Sequence, residues 1–173
     1  MIWFISDTHF CHSNILKFTD KEGNFIRSGF KDVWDMNSQM VHNWNRVVST
    51  TDTVYHLGDF ACGVQNPKEL ETIAHSLNGH KRLIFGNHDR INLSAYKCFE
   101  KIELWTGGKF SQYGFVCSHI PLREDSMRDA EVNVHGHIHQ NQSPSDRHIC
   151  VCVEHTDYTP VALDEIIERI KAR

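Results

Sequence analysis

Five short apolar runs in this chain each give way, without a linker, to aspartate, asparagine or histidine, in most cases beside a glycine. Residues 1–5 lead into Ser6-Asp7-Thr8-His9, and residues 53–57 into Gly58-Asp59. Residues 82–85 lead into Gly86-Asn87-His88-Asp89, a run ending at Cys117 into Ser118-His119, and residues 131–135 into Gly136-His137-Ile138-His139. Runs of this length, rich in β-branched and aromatic residues, read as strands. Taken singly, each polar ending reads as an ordinary solvated turn, since Gly, Asp and Asn all favour turns. The repetition is what constrains the fold. In an open α/β sheet the loops beyond the carboxyl ends of parallel strands converge on one crevice, and glycine lets backbone approach closely there.

The intervening segments support such a sheet. Residues 35–49 place Met36, Met40, Trp44, Val47 and Val48 at near-helical spacing, with Asp35 as the expected N-cap. Residues 67–77 read as a helix with proline at its start. Strand and helix alternating in this way argue for βαβ units. The second half is richer in strands: residues 109–118 read as a hairpin turning near Tyr113-Gly114, and 131–135 and 148–153 as further strands. A closing helix over about 163–171 carries its acids early and its bases late, matching the helix dipole. Residues 19–32 are a polar excursion.

A length of 173 residues suits one domain. No apolar run approaches the ~20 residues of a membrane helix, and residues 1–14 lack the pattern of a signal peptide, so the expected location is cytoplasmic, with no membrane partner. The net charge of −4 argues against tight, nonspecific binding to long nucleic acid. The six cysteines form no C-x-x-C pair. Cys98, Cys117, Cys150 and Cys152 have apolar neighbours, and the alternate spacing of Cys150 and Cys152 puts both on one strand face, as packing residues. The chain has 13 histidines, spread along its length.

The ordered blocks SDTHF, GDF, GNHD, SHIP and GHIH resemble the five signature blocks of calcineurin-like metallophosphoesterases, and span residues 6–139. The opening DTHFCHSNI is similar to a small prokaryotic or phage-type subgroup. The resemblance implies an α/β fold, a four-layer α-β-β-α sandwich, as a single domain over 1–173 without a separate cap domain. It implies two divalent metal ions at the strand ends: Asp7, His9 and His139 on the first, Asn87, His119 and His137 on the second, and Asp59 bridging both. These nitrogen and oxygen donors suit Mn, Fe or Zn, with Mn the expected choice in vitro.

The activity implied is a phosphodiesterase or phosphatase in which a metal-bridging hydroxide attacks phosphorus in line. His88 would protonate the leaving alkoxide or hydrogen-bond the phosphate, with Asp89 as an orienting partner, since histidines at metal sites usually donate to a carboxylate or carbonyl. Some members of the family follow the Gly-Asp block with a second aspartate that pairs with the catalytic histidine. Here the stretch GDFACGVQN has none, so His88 must be oriented otherwise.

His12 and Asn14 are candidates to line the substrate pocket, Asn14 having helix capping near Ile15 as its alternative role. Arg90 and Arg123 follow ligand blocks and are candidate phosphate clamps, or else surface ion-pair residues. His42, His56, His75, His80, His148 and His155 read as structural or exposed, and His135 as packing. The expected partner is a small phosphoester or nucleotide, or a short nucleic acid. The alternative is a catalytically inactive scaffold of the same fold for protein binding. A single-metal 2-His-1-carboxylate site would leave Asn87 and two histidines unexplained.

Overall fold

The computed structural model describes residues 1–90 and 92–173. Strands β1 (Ile2–Ile5), β2 (Thr53–His56), β3 (His80–Ile84) and β4 (Phe99–Glu103) are parallel neighbours in one sheet, and β8 (Val161–Ala162) pairs antiparallel with β1 at its edge. A second, all-parallel sheet holds β5 (Phe115–Cys117), β6 (Val132–His135) and β7 (His148–Cys150). Among the described residues three α-helices accompany them: α1 (Val33–Val47), α2 (Pro67–Ser76) and α3 (Leu163–Lys171).

Alternation along the strands sorts the core into two layers. Phe4, Tyr55 and Ile84 face the second sheet, where they meet Phe110, Phe115, Val132 and Val134. Phe110 and Phe115 stack there with ring centroids 4.8 Å apart. Ile5, Val54 and Leu83 face the opposite way, onto Met36, Met40 and Trp44 of α1 and Leu70 and Ala74 of α2. The far face of the second sheet is covered largely by connecting segments. Asn133 accepts the Leu122 N–H, His148 Nε2 contacts the Leu122 carbonyl, and His135 contacts Ser143. The expected α/β architecture therefore forms, and α3 sends Ile166 into the core between the sheets.

Both sheets end at the same place because their ladders join there. Ser6 N–H donates to Val151 O at 3.0 Å and Ser6 O accepts from Val153 N–H at 3.2 Å, so the exit of β1 pairs in parallel with the exit of β7. The register of β1 to β3 sets Ile5, His56 and Leu83 level across the first sheet. The five polar endings are carried to one edge by these pairings.

Two expectations need correction. The N-cap of α1 is Asp32, whose carboxylate accepts from Trp34 and Asp35 N–H at 2.9 Å each. Asp35 lies inside the first turn, where its carboxylate takes the Lys31 N–H and suits the helix dipole. Residues 109–118 do not form a hairpin: Gly107–Tyr113 is 3-10 helical, and Gly114, at φ 79°, ends it in the left-handed conformation before β5. Gly114 does turn the chain there, but Phe110 enters the core from the 3-10 segment, and β5 finds a parallel partner in β6. Proline opens α2 as expected, with Asn66 capping it, and α3 has the expected bounds. Among the described residues no helix is long and apolar enough to cross a membrane.

Trp44 is 1% exposed and donates its indole N–H to Asn78 O at 3.0 Å, whereas Trp34 is 58% exposed. Trp44→Ala is expected to destabilise the protein by about 3–5 kcal/mol, and Trp34→Ala by about 0.5 kcal/mol or less. Urea denaturation of both variants checks this.

Candidate metal centre

The β1–β2 ladder continues past the strands as loop hydrogen bonds. Asp7 N–H donates to Gly58 O at 3.0 Å, His9 N–H to Asp59 O at 3.1 Å, and Phe10 N–H to Phe60 O at 2.9 Å. Thr8 is held between them, its hydroxyl on Phe60 O at 2.8 Å and against His56 Nε2 at 3.0 Å. Along this segment the backbone takes left-handed dihedrals at Asp7 (φ 58°) and His9 (φ 49°), and again at Asp59 (56°), His137 (74°) and His139 (50°). Such conformations are uncommon for non-glycine residues and cluster at functional sites.

The structure brings all seven proposed ligands together. His9 Nε2 and His119 Nε2 each lie 3.5 Å from the same oxygen, Asp59 Oδ2. His9 Nε2 and His139 Nε2 are each 3.9 Å from Asp7 Oδ1. Asn87 Oδ1 lies 3.0 Å from both His119 Nε2 and His137 Nδ1. Asp7, His9 and His139 thus form one cluster and Asn87, His119 and His137 another, with Asp59 between. In the first cluster, Asp7 Oδ1 and both ring nitrogens of His9 are buried without a hydrogen-bond partner among the described residues. Buried polar atoms left unpaired are costly, and a ring of convergent oxygen and imidazole donors of this kind fits divalent metal ions.

Electrostatics within the site are divided. Burial pushes the Asp7 carboxyl up, against the pull of His119 and His139. Burial also raises Asp59, but the hydrogen bond and charge of His119, with the His88 N–H and the His9 charge, together outweigh it and hold the group below the usual carboxylate range. His9 is pushed down to about 2 by burial and by the Arg27 charge, leaving it in the neutral form that binds metals. For His119 and His139 burial favours the neutral ring, yet Asp59 and Glu154 respectively prevail and raise both.

The ligands are oriented by groups that the sequence reading did not single out. His139 Nδ1 faces Glu154 Oε1 at 3.0 Å, and His119 Nδ1 faces Leu57 O at 2.8 Å, which leaves each Nε2 for the centre. Glu154 is in turn gripped by the fully buried Arg27, through Nε at 2.9 Å and a terminal nitrogen at 2.7 Å. Arg27 also donates to the carbonyls of Asp7 at 2.7 Å and Thr8 at 3.1 Å. The polar excursion over 19–32 thereby delivers one cation to the back of the site. A Cβ added at Gly136 would stand 2.5 Å from Asp7 Oδ2, and one at Gly58 would meet the His119 ring, so both close approaches require glycine.

Asp89 plays a different part from the one expected. Its carboxylate accepts from the backbone N–H groups of Asp59, Phe60 and Gly86 at 2.8–3.0 Å and from the Tyr96 hydroxyl at 2.7 Å. It therefore pins the loops after β2 and β3 to each other and touches no histidine among its hydrogen-bond partners.

His88 is exposed, with its ring centroid 5.5 Å from that of His9 and its backbone N–H on Asp59 Oδ1 at 2.8 Å. Its Nδ1 lies 3.5 Å from Cys62 Sγ. His12 also borders His9, at 5.4 Å between centroids, and is half-buried. Asn14 is exposed inside the 3-10 segment Ser13–Lys17, whose N-cap position is His12. Arg90 is exposed. Arg123 is turned to solvent, its side chain 85% exposed and paired with Asp125 at 3.0 Å. Cys11 points to Glu69 and Asn37, away from the ligands, and Cys152 donates its S–H to Asp7 Oδ2 at 3.2 Å, so its surroundings are not purely apolar.

Strand-end carboxylates and imidazoles that converge in this way make a site suited to divalent metal ions. A profile of the calcineurin-like phosphoesterase superfamily domain matches residues 1–153, and the chain belongs to that superfamily. It is 33% identical to an uncharacterized protein of Methanocaldococcus jannaschii, over 98% of this chain and 91% of that one. It is 28% identical to the Gene 66 protein of Mycobacterium phage L5, over 85% of this chain and 81% of the phage protein. The crystal structure of a protein of unknown function from Aquifex aeolicus matches with a TM-score of 0.74 and 29% identity, covering 97% of this chain and 98% of that one.

Glu154→Gln removes the charged acceptor from His139 and is expected to lower divalent-metal affinity roughly 10–100-fold, read by calorimetric titration of metal-free protein with Mn²⁺. It also leaves Arg27 without its carboxylate, at about 3–5 kcal/mol of stability, so a denaturation curve accompanies the titration. In the wild type, His119 and His139 keep their protons to higher pH than an ordinary imidazole. Metal must displace those protons, so affinity is expected to rise with pH through the neutral range and fall as pH is lowered. Titrations in buffers of different ionisation heat read the proton release.

Proposed function

We propose that this chain is a dinuclear metal-dependent hydrolase of phosphodiester or phosphomonoester bonds, acting on small nucleotide-type substrates. The observation that carries the reading is the pairing of two donor clusters through one carboxylate oxygen, Asp59 Oδ2, 3.5 Å from a histidine of each. Asp7, His9 and His139 would hold one ion, Asn87, His119 and His137 the other, and Asp59 both. When bound, the ions supply an acidified water as nucleophile and charge neutralisation at the phosphoryl oxygens.

The chain's own residues then set position and proton traffic. Arg27 and Glu154 keep His139 turned to the centre. Asp89 fixes the backbone that carries Asp59 and Asn87. His88 stands at the rim as the hydrogen-bond or proton donor to the leaving oxygen. In the overall reaction water adds its oxygen to phosphorus, the P–O bond to the leaving group breaks, and that oxygen acquires a proton. Asn87, His88 and Ile120 are exposed around the centre, which favours a small or extended phosphoester over one enclosed in a deep cavity. A cavity of about 660 Å³ between α1 and α2, lined by Trp34, Val41 and Ile73 among others, contains none of the proposed ligands.

Protein loaded with Mn²⁺ is expected to hydrolyse bis(p-nitrophenyl) phosphate, and Asp59→Asn to reduce turnover to near background while the fold is retained. Stoichiometric metal binding with no turnover under Mn, Fe or Zn would instead favour a binding scaffold of the same fold. One metal per chain by elemental analysis would count against the dinuclear reading.

A further inference from the structure

The His88 ring has one side-chain hydrogen-bonding partner among the described residues, and it is a thiol. Cys62 Sγ lies 3.5 Å from His88 Nδ1, within the range of a sulfur hydrogen bond. Cys62 is held in place by its neighbour: Ala61 forms a parallel bridge with Phe10, in the same ladder that carries Asp7 and His9. It is half-buried, and a nitrogen each of His9 and His12 approaches its sulfur within 4.8 Å. Cys11, by contrast, is engaged with Glu69.

Resting on the phosphoesterase reading, we propose that Cys62 is the positioning residue of His88. Its S–H donates to Nδ1, which fixes the neutral ring with its remaining N–H at Nε2. A thiol is protonated at neutral pH, and burial pushes this one further up. The consequence is chemical. A carboxylate in this place would accept from Nδ1–H and support proton transfer from the ring, whereas a thiol that donates to Nδ1 leaves the ring a hydrogen-bond donor through Nε2–H. The electron pair of the breaking P–O bond then stays on the leaving oxygen, which Nε2–H stabilises by a hydrogen bond and which takes its proton from water. Such a site favours phosphoesters with weakly basic leaving groups, aryl esters and phosphoanhydrides among them, over simple alkyl esters.

Steady-state kinetics of the Mn²⁺-loaded wild type, C62A, C62S and C62D on an aryl and an alkyl diester of the same phosphate test this. C62A is expected to lower kcat on the alkyl ester by about two- to tenfold, the worth of one neutral hydrogen bond, with less change on the aryl ester and little change in KM. C62S is expected to restore much of the loss, and C62D to raise the alkyl-to-aryl rate ratio above the wild-type value. Equal loss on both esters, or ratios unchanged in every variant, would overturn the proposal. So would a thiolate-to-metal absorption band in Cd²⁺-loaded protein that disappears in C62A, because Cys62 would then be a ligand. If the wild type hydrolyses neither ester, the phosphoesterase reading itself fails, and the ring ¹⁵N shifts of His88 at alkaline pH still decide the contact. A fixed Nε2–H tautomer that loosens in C62A supports it, and identical shifts in both proteins refute it.

Discussion

Two carboxylates withdrawn from water govern this molecule. Asp7 is 0% exposed and Asp59 1% exposed, and they meet at the place where two sheets end. A carboxylate buried alone carries a heavy solvation penalty and would sooner neutralise than stay charged. Here each is surrounded by imidazoles, and the opposite shifts of the two groups show the compromise: burial prevails at Asp7, while at Asp59 it is outweighed by His119, the His88 N–H and His9 together. Divalent cations would relieve the same imbalance more completely. The extension of the β1–β2 ladder into the loops, the joining of β1 and β7 at Ser6, and the burial of Arg27 all bring counter-charge or N–H groups to bear on this pair.

Much of that arrangement was legible in the chain, and the reason is locality. An apolar run followed by a donor residue states both a strand and what its end carries, so the five blocks name the side chains that converge at the candidate site. The helices α1, α2 and α3 were similarly visible from spacing, from the proline at position 67 and from the charges of Leu163–Lys171. Strand β4 was not read, because Phe99–Glu103 is an edge strand whose exposed charges hide its alternation. The segment before β5 resembles a hairpin in sequence because Gly114 does terminate an element, but that element is 3-10 helical and too short to show a periodicity.

What stayed hidden was whatever depends on distant pairing. Arg27 lies in a stretch of Gly, Asp and Lys that reads as solvent-facing, and its partner Glu154 is 127 residues away. Nothing in either neighbourhood marks them as a buried ion pair behind a proposed metal ligand. Asp89 was noticed, but its role depends on Asp59, Phe60 and Gly86 being adjacent in space. Cys62 is a similar case: one residue in a short loop, given meaning by the single ring nitrogen beside it.

The left-handed backbone at Asp7, His9, Asp59, His137 and His139 limits the chemistry of the site as well as its shape. Among residues other than glycine, Asn, Asp and His are the ones that enter this region several-fold more often than the rest. They are also three of the side chains that bind hard and borderline metals. Glutamate is as good a donor as aspartate and cysteine a stronger one for zinc, yet the proposed set contains neither. At these five positions a proposed ligand must also turn, and that double requirement favours Asp, Asn and His, although Cys11, at φ 65° two residues after His9, takes the same region. The preference would hold for descendants of the sequence too: metal preference could drift by exchange among Asp, Asn and His at little backbone cost, while a change to Glu would add strain to the loop.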